Sequence, residues 1–184
     1  CDMPSIPENI TKADVRSAVD VLTEAVADFP FETADHLAAW FAALLTPLAR
    51  YAFDGPAPLF AVDANSQGSG KGLLVDVIGH IVRGREIAKS TESANDVEMA
   101  KKITSIAISG EPLITIDNVS RRLNYPSLDA ALTATTWNER ILGKSEMTEG
   151  IPLYTTWYCT GNNLQLHRDT VRRALHIRLN SNVE

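Results

Sequence analysis

A chain of 184 residues, 45% hydrophobic and 22% charged, is long and apolar enough to form a globular domain, which excludes a disordered segment. Its net charge of −6 excludes a general polyanion binder, so any contact with nucleic acid has to come from local basic residues. No apolar run can span a bilayer, no secretion signal is recognisable, and the two cysteines lie far apart, which together predict a reduced, cytoplasmic setting. Because the first residue is Cys1 and not methionine, we expect the sequence to be part of a longer polypeptide.

The N-terminal segment, residues 1–57, is predicted to be helical. Thr11 followed by Asp14 is typical of a capping box, and apolar residues then recur at helical spacing as far as Val26. A second helix, with a wider apolar stripe, follows Thr33 and is ended by the sequence FDGPAP. We expect these two helices to form a cap that packs on the rest of the chain.

From residue 58 to residue 184, short apolar runs alternate with helical stretches. The predicted strands are LFAVD, EIAKS, PLITID, LYTTWYCT and ALHIRL. Helices are predicted after the first strand, over residues 94–108, over SLDAALTATTW and over residues 169–173. This alternation predicts an α/β domain with a five-stranded parallel sheet, right-handed crossovers and helices on both faces.

The sequence NSQGSGKG joins the first strand to a helix and is typical of a phosphate-binding loop. Its glycines let backbone amides approach an anion, the helix start adds partial positive charge, and Lys71 can reach the outer phosphates. Two positions depart from the pattern G-x-x-x-x-G-K-[ST]: Asn65 replaces the first glycine, and Gly72 removes the hydroxyl that binds Mg²⁺. The alternative is an ordinary flexible turn. The residues predicted to bind a nucleotide are Asn65, Ser66, Gln67, Gly68, Ser69, Gly70, Lys71 and Gly72.

Polar side chains also end the third and fourth predicted strands. Asp117 stands at the carboxyl end of its strand, where ligands bind in open α/β sheets, and can hold Mg²⁺ directly or through water. The alternative for the Asp117–Asn118 pair is a turn or a helix cap, and Asn118 can orient a water molecule but cannot take its proton. Asn162 or Asn163 is expected beside Asp117, where an amide can hydrogen bond a terminal phosphate or the attacking water.

Two further pairs of basic residues have two interpretations each. Arg172 and Arg173 precede the last strand. They are either surface charges or partners of carboxylates, or one of them provides a guanidinium that reaches a nucleotide in an adjacent subunit. Arg140 and Lys144 lie in the loop TWNERILGKSEMTEG, which is either a solvent-facing hairpin or a site that grips nucleic-acid phosphates without reading sequence.

The ordered set GSGKG, LITIDN, TWYCTGNN and DTVRR resembles the ATPase domains of the AAA+ class. With the added phrase LDAALTATTWNERILGKSE, it is similar to the helicase-like ATPase domains that follow primase modules in phage, plasmid and integrated-element proteins. The resemblance covers Pro58 to Leu179 and implies the strand order 5-1-4-3-2, ATP and Mg²⁺ as ligands, and a ring, often hexameric, that moves DNA. The helical lid that commonly follows the fifth strand in AAA+ proteins is expected to be missing, because only NSNVE follows Leu179.

The resemblance also implies roles for single residues: Lys71 as phosphate binder, Asp117 as metal ligand, Asn162 as sensor with Asn163 second, and Arg173 as arginine finger with Arg172 second. It leaves the catalytic carboxylate unassigned. Glu98 is the first choice, followed by Glu111 and Glu92, and each of them also suits a solvated charge.

Two functions from different classes are therefore predicted. The first is an ATP-hydrolysing motor domain of a DNA helicase or primase-helicase, which acts on single-stranded DNA as a homo-oligomeric ring during replication of a phage or mobile element. The second is a nucleotide-responsive assembly module that binds ATP with little hydrolysis, because Gly72 and Asn118 remove two groups that aid the chemistry. A nucleotide kinase is less favoured, because no arginine-rich acceptor lid is recognisable in the sequence.

Overall fold

The computed structural model describes residues 7–120, 122–139 and 147–181. Its helices are α1 (Lys12–Glu24), α2 (Ala34–Ala49), α3 (Lys71–Arg83), α4 (Asp96–Ser109), α5 (Pro126–Ala131) and α6 (Arg168–Val171). Its strands are β1 (Leu59–Ala64), β2 (Ala88–Thr91), β3 (Leu113–Val119), β4 (Thr136–Trp137), β5 (Ile151–Pro152), β6 (Thr156–Asn162) and β7 (Ala174–Leu179). None of the helices in these three ranges combines the length and the apolar character that a membrane span requires.

Five strands form one parallel sheet in the order β2-β3-β6-β1-β7. Counted along the chain and read from the other edge, this order is 5-1-4-3-2. The central strand β1 is buried at every position, which explains its uninterrupted apolar sequence. The predicted α/β fold with a five-stranded parallel sheet is therefore confirmed, and β4 and β5 form a separate antiparallel pair.

Hydrophobic clusters fill both faces of the sheet, because successive residues of a strand point to opposite sides. Leu59 and Ala61 of β1 join a cluster with α4 and α5, whereas Phe60 and Val62 join a second cluster with α2 and α3. All three tryptophans are buried in these clusters, as expected for core residues. Helices thus cover both faces and leave the strand ends as the accessible edges.

The N-terminal helices contribute unequally to the core. In α1 the predicted capping box is present, since Thr11 N donates to Asp14 Oδ2 at 2.8 Å and Asp14 N donates to Thr11 Oγ1 at 3.3 Å. However, α1 ends at Glu24, earlier than its apolar pattern predicts, and buries none of its residues. Packing on the sheet is carried by α2, through Trp40, and by Val26 in the connection that follows α1. The domain division at residue 57 stays a prediction.

The helix predicted over residues 127–137 is shorter than expected. Helix α5 ends at Ala131, and three of the next residues, within 133–136, are threonines, whose β-branched side chains disfavour continued helix. The chain turns and forms β4, in which buried Trp137 donates a hydrogen bond from Nε1 to Thr104 Oγ1 at 3.0 Å. Trp137 is thus buried by a tertiary contact in a strand, and not by the helix that the spacing of the apolar residues predicted.

Candidate functional site

The glycine-rich loop, residues 65–72, connects the central strand β1 to helix α3. Gly68 and Gly70 have φ angles of 74° and 83°, a left-handed backbone conformation that favours glycine. Gly70 is the N-cap of α3 and lies close to Phe29, since a Cβ on it would stand 3.1 Å from Phe29 Cε1. These two glycines therefore shape a loop whose backbone leads directly into the start of a helix.

Lys71, the first residue of α3, ties this loop to the end of β6. Its Nζ donates to Asn162 Oδ1 at 2.6 Å, and to Ser66 O and Ser69 Oγ at 3.1 Å each. Burial lowers the pKa of Lys71, while the negative charges of Asp63 and Asp117 act in the opposite sense. The ammonium group is therefore a partly desolvated cation whose three acceptors are all uncharged.

Asp117 is held by a side chain that the sequence reasoning did not single out. Its Oδ1 accepts a hydrogen bond from Thr160 Oγ1 at 2.7 Å, and the same hydroxyl oxygen accepts from Asn118 N at 2.9 Å. Asn118 has a left-handed φ of 54°, and the β3–β6 register shifts between Ile116 and Val119. At this irregular end of β3, Thr160 hydrogen bonds both Asp117 and Asn118 and thereby orients them.

A cleft of about 370 Å³ lies where these groups meet, at the carboxyl ends of β1, β3 and β6. The residues that line it are Gln67, Gly68, Ser69, Gly70, Lys71, Gly72, Asp117, Asn118, Thr160 and Asn162. The structure thus brings together most of the predicted loop with the aspartate and the first-choice asparagine. Asn163 does not line this cleft: it has a φ of 49°, and its N donates to Ala64 O at 3.0 Å.

A larger cleft of about 610 Å³ adjoins the other side of the loop. Its lining residues are Asp28, Phe29, Pro30, Gly68, Ser69, Gly70, Leu73, Asn180 and Ser181. The three loop residues 68–70 line both clefts, so the two spaces meet at the loop. Sequence reasoning did not find this second space, because residues 28–30 belong to the connection between α1 and α2.

Asn65 does not line the smaller cleft. Its side chain turns toward the chain after β7, where Nδ2 donates to Asn180 Oδ1 at 3.0 Å and Oδ1 accepts from Ser181 N at 3.1 Å. Ser66 contributes its carbonyl oxygen to Lys71 and is also absent from the cleft lining. Asn65 and Ser66 therefore stabilise the loop through hydrogen bonds but do not line the smaller cleft.

None of the three acidic candidates lines either cleft. Glu98, in the first turn of α4, is exposed, and its Oε1 accepts from Lys101 Nζ at 2.6 Å. Glu111 is hydrogen bonded to Arg83 and precedes β3, at the amino edge of the sheet. Of the residues lining the smaller cleft in the described part of the chain, Asp117 is the one carboxylate.

Glu92 stands at the carboxyl edge of the sheet, directly after β2. Its Oε2 accepts from Ser120 Oγ at 3.0 Å and from Ser120 N at 3.2 Å. Its Oε1 is buried and has no hydrogen-bond partner among the described residues. Of the three acidic candidates, Glu92 is therefore the one beside the end of β3 with an uncommitted oxygen.

The arginines predicted as a finger lie at the opposite edge. Arg173 precedes β7, its carbonyl accepts from Leu59 N at 2.8 Å, and its guanidinium lies 3.6 Å from Asp129 Oδ1. Arg172 is exposed beside it. Neither reaches the clefts of its own chain. Arg140 and Lys144, the predicted nucleic-acid contacts, lie outside the described residues.

Comparisons with known proteins give little further information. No family model matches the chain, and no curated protein matches it. One similar solved structure is JCV helicase bound to a thiazolopyridine compound, with a TM-score of 0.42 and 13% sequence identity. The alignment covers 92% of this chain and 58% of the helicase chain, so the chain spans less than two thirds of that protein.

Proposed function

We propose that this chain is the ATP-binding and hydrolysing domain of a P-loop ATPase of the AAA+ type, which acts as a motor on single-stranded DNA. The observation that carries the proposal is the hydrogen bond from Lys71 Nζ to Asn162 Oδ1 beside Asp117. Three motifs that are far apart in the sequence supply these residues. They meet at the carboxyl edge of the sheet, where ligands bind in open α/β sheets, and they offer a cation for phosphates beside a carboxylate that can hold Mg²⁺.

The phosphates of ATP would lie in the smaller cleft. The loop amides and the start of α3 offer partial positive charge, and Lys71 adds a full charge. Its present acceptors are neutral, whereas a phosphate oxygen carries negative charge and would add the Coulomb attraction between two full charges. A phosphate oxygen would therefore displace one of these acceptors, and its charge would favour the protonated lysine.

The donor set fits Mg²⁺, a hard cation that prefers oxygen ligands and retains several water molecules. Asp117 has one oxygen committed to Thr160, and no described residue hydrogen bonds its other oxygen. Asp117 would hold the ion directly or through water, whereas Gly72 offers no side chain. When bound, the ion neutralises charge on the phosphates.

The larger cleft would take the nucleobase. Phe29 offers an aromatic ring next to the loop, and Leu73 is 63% exposed although it is a large apolar residue. A base packed between the connection at residues 28–30 and α3 would cover this leucine. The polar residues Asn180 and Ser181 also line this cleft, and the edges of a base need hydrogen-bond partners.

Hydrolysis is proposed to require a second subunit. Asn162 can orient the attacking water, but the predicted finger Arg173 lies at the opposite edge of its own chain, from which it would serve a neighbour's nucleotide. A second candidate function is a module that assembles on ATP and hydrolyses it slowly. Two observations favour it: Arg173 does not reach the cleft of its own chain, and Asp117 is the one carboxylate among the described residues that line this cleft.

The test is ATP binding and turnover of the full-length protein, with and without single-stranded DNA. Lys71→Ala should weaken ATP binding by about tenfold to a hundredfold, because a hydrogen bond to a charged group contributes about 1.5–3 kcal/mol. Lys101→Ala is the matched control, since the Lys101 side chain is 40% exposed and paired with Glu98, and this variant should bind ATP like the wild type.

Each outcome selects one function. Turnover that rises with DNA and is lost in Lys71→Ala supports the motor, and a loss of the DNA response in Arg140→Ala with Lys144→Ala would assign the DNA contact. ATP-dependent oligomerisation, with turnover no greater than in Lys71→Ala, supports the assembly module. Equal ATP affinity of the wild type and Lys71→Ala would refute both.

A further inference from the structure

Asp63 is a buried carboxylate at the end of β1 for which the proposed chemistry has no use. It is 1% exposed, and both of its oxygens are committed. Oδ1 accepts from Leu164 N at 2.9 Å, while Oδ2 accepts from Arg178 and lies 3.6 Å from His176 Nε2. A carboxylate is costly to bury unless such partners compensate it, so this position requires an explanation.

The Leu164 amide belongs to the segment of residues 161–164, in which β6 ends at Asn162 and which we call the turn. This turn is tied to β1 at two consecutive positions, through Asn163 N to Ala64 O at 3.0 Å and through Leu164 N to Asp63 Oδ1. The second tie is charge-assisted and hence the stronger of the two. Asp63 therefore fixes the backbone on the C-terminal side of the asparagine that contacts Lys71.

Arg178 extends this connection to the segment before α2. It faces Asp63 in the β1–β7 register, and its Nη2 donates to Asn163 Oδ1 at 3.5 Å. On its other side, Arg178 Nε lies 3.4 Å from Glu32 Oε1, and Glu32 N donates to Arg178 O at 3.0 Å. Glu32 closely follows residues 28–30, which line the larger cleft. One guanidinium thus contacts both the turn and the segment beside the proposed base site.

We propose that Asp63 and Arg178 are positioning residues, which hold the turn so that Asn162 Oδ1 is correctly placed for ATP hydrolysis. Neither residue lines the phosphate cleft, so they act through the turn rather than on the nucleotide. This inference rests on the proposed ATPase function. Its physical basis is that a shift of about 1 Å in an orienting group can lower turnover by about a hundredfold.

The first test separates kcat from KM. Asp63→Asn keeps the size of the side chain and an acceptor oxygen but removes the charge that Arg178 compensates. We expect kcat to fall by about tenfold to a hundredfold with KM for ATP changed by less than about threefold, because binding depends on the phosphate loop. Arg178→Lys, which keeps the charge but loses the planar fork, should lower kcat in the same direction.

Asp76→Asn is the matched control, because Asp76 is also a buried aspartate, paired with Lys89 at 2.7 Å, but does not touch the turn. It should leave kcat near the wild-type value. Equal losses of kcat in Asp63→Asn and Asp76→Asn would overturn the inference, as would a higher KM with unchanged kcat. If Asp63→Asn does not fold, the same comparison is made with Arg178→Lys.

The second test does not depend on activity. Asp63→Asn should accelerate hydrogen exchange at the Leu164 amide, because the acceptor loses its charge, while amides in the middle of β1 and β6 stay protected. Unchanged exchange at Leu164 would refute the positioning role. If the wild type shows no ATP turnover but Asp63→Asn still accelerates exchange at the Leu164 amide, the proposed hydrolysis is refuted. The role of Asp63 in holding the turn is then retained.

Discussion

Gly161, at the end of β6, has no room for a side chain, and Gly161→Ala should therefore destabilise the protein. A Cβ at this position would stand 2.3 Å from Leu164 Cδ2 and 2.8 Å from Val119 O, distances that real Cβ atoms essentially never show. The leucine must leave its rotamer, at a cost of about 0.5–1.5 kcal/mol. Because Val119 is paired with Gly161, β3 and β6 must also separate locally. We expect a total loss of about 1–3 kcal/mol, as for other overpacked sites.

Urea unfolding followed by tryptophan fluorescence measures this loss. Gly72→Ala is the control, since nothing lies within 4 Å of a Cβ there and the residue is inside α3. It should leave stability unchanged or raise it by up to about 1 kcal/mol, because alanine is the better helix former. In a Leu164→Ala background, Gly161→Ala should cost less stability than in the wild type, since one of the two clashes is absent. A Gly161→Ala protein within about 0.5 kcal/mol of the wild type would refute this packing.

Two further predictions concern Cys159 and helix α1. Burial raises the pKa of Cys159 from 9.0 to about 12, so above pH 9.0 the unfolded chain releases a proton that the folded chain keeps. Its contribution to stability should fall by about 1.4 kcal/mol per pH unit in that range, and urea unfolding at several alkaline pH values should show a shallower decline for Cys159→Ala than for the wild type. Equal slopes would contradict the assigned burial. Thr11→Ala removes the capping box at a local cost of about 0.5–2 kcal/mol, which should accelerate hydrogen exchange in α1 but barely move the urea midpoint, because α1 buries no residue. A midpoint shift as large as that of Gly161→Ala would show that α1 is coupled to the core.

The sheet could be predicted from the sequence because each central strand is a short apolar run bounded by polar turns, as LFAVD shows for β1. The helix predicted over residues 127–137 was wrong in its second half for a physical reason. Leu128 and Leu132 have helical spacing, but the threonines after α5 and the buried contact of Trp137 with Thr104 favour a strand. Periodicity reports which side chains are buried, and a tertiary contact can bury them in another conformation.

Lys71, Asp117 and Asn162 could be expected to lie together, because the carboxyl ends of parallel strands share one edge. Thr160 and Asp63 were missed because no sequence motif marks their roles, and their partners lie 43 and 115 positions away. Asp63 did carry a signal, since a charged residue that ends a buried apolar strand must find compensating partners. Which arginine compensates it depends on the strand order, which spacing alone does not give.

The connection between α1 and α2 also has a consequence for self-association. Residues 30–32 run antiparallel along β7, with Asn180 N donating to Pro30 O at 2.8 Å and Phe31 bridged to Leu179. At the other border of the sheet, β2 has four residues, none of them buried, and Lys89 among them. Residues 30–32 cover one edge of the sheet, and a short strand with a charged residue forms the other edge. Both features disfavour the pairing of a strand from another molecule with the sheet. Copies of this chain that associate are thus expected to meet through helices and loops, and a mutation that frees residues 30–32 should promote fibrous aggregation.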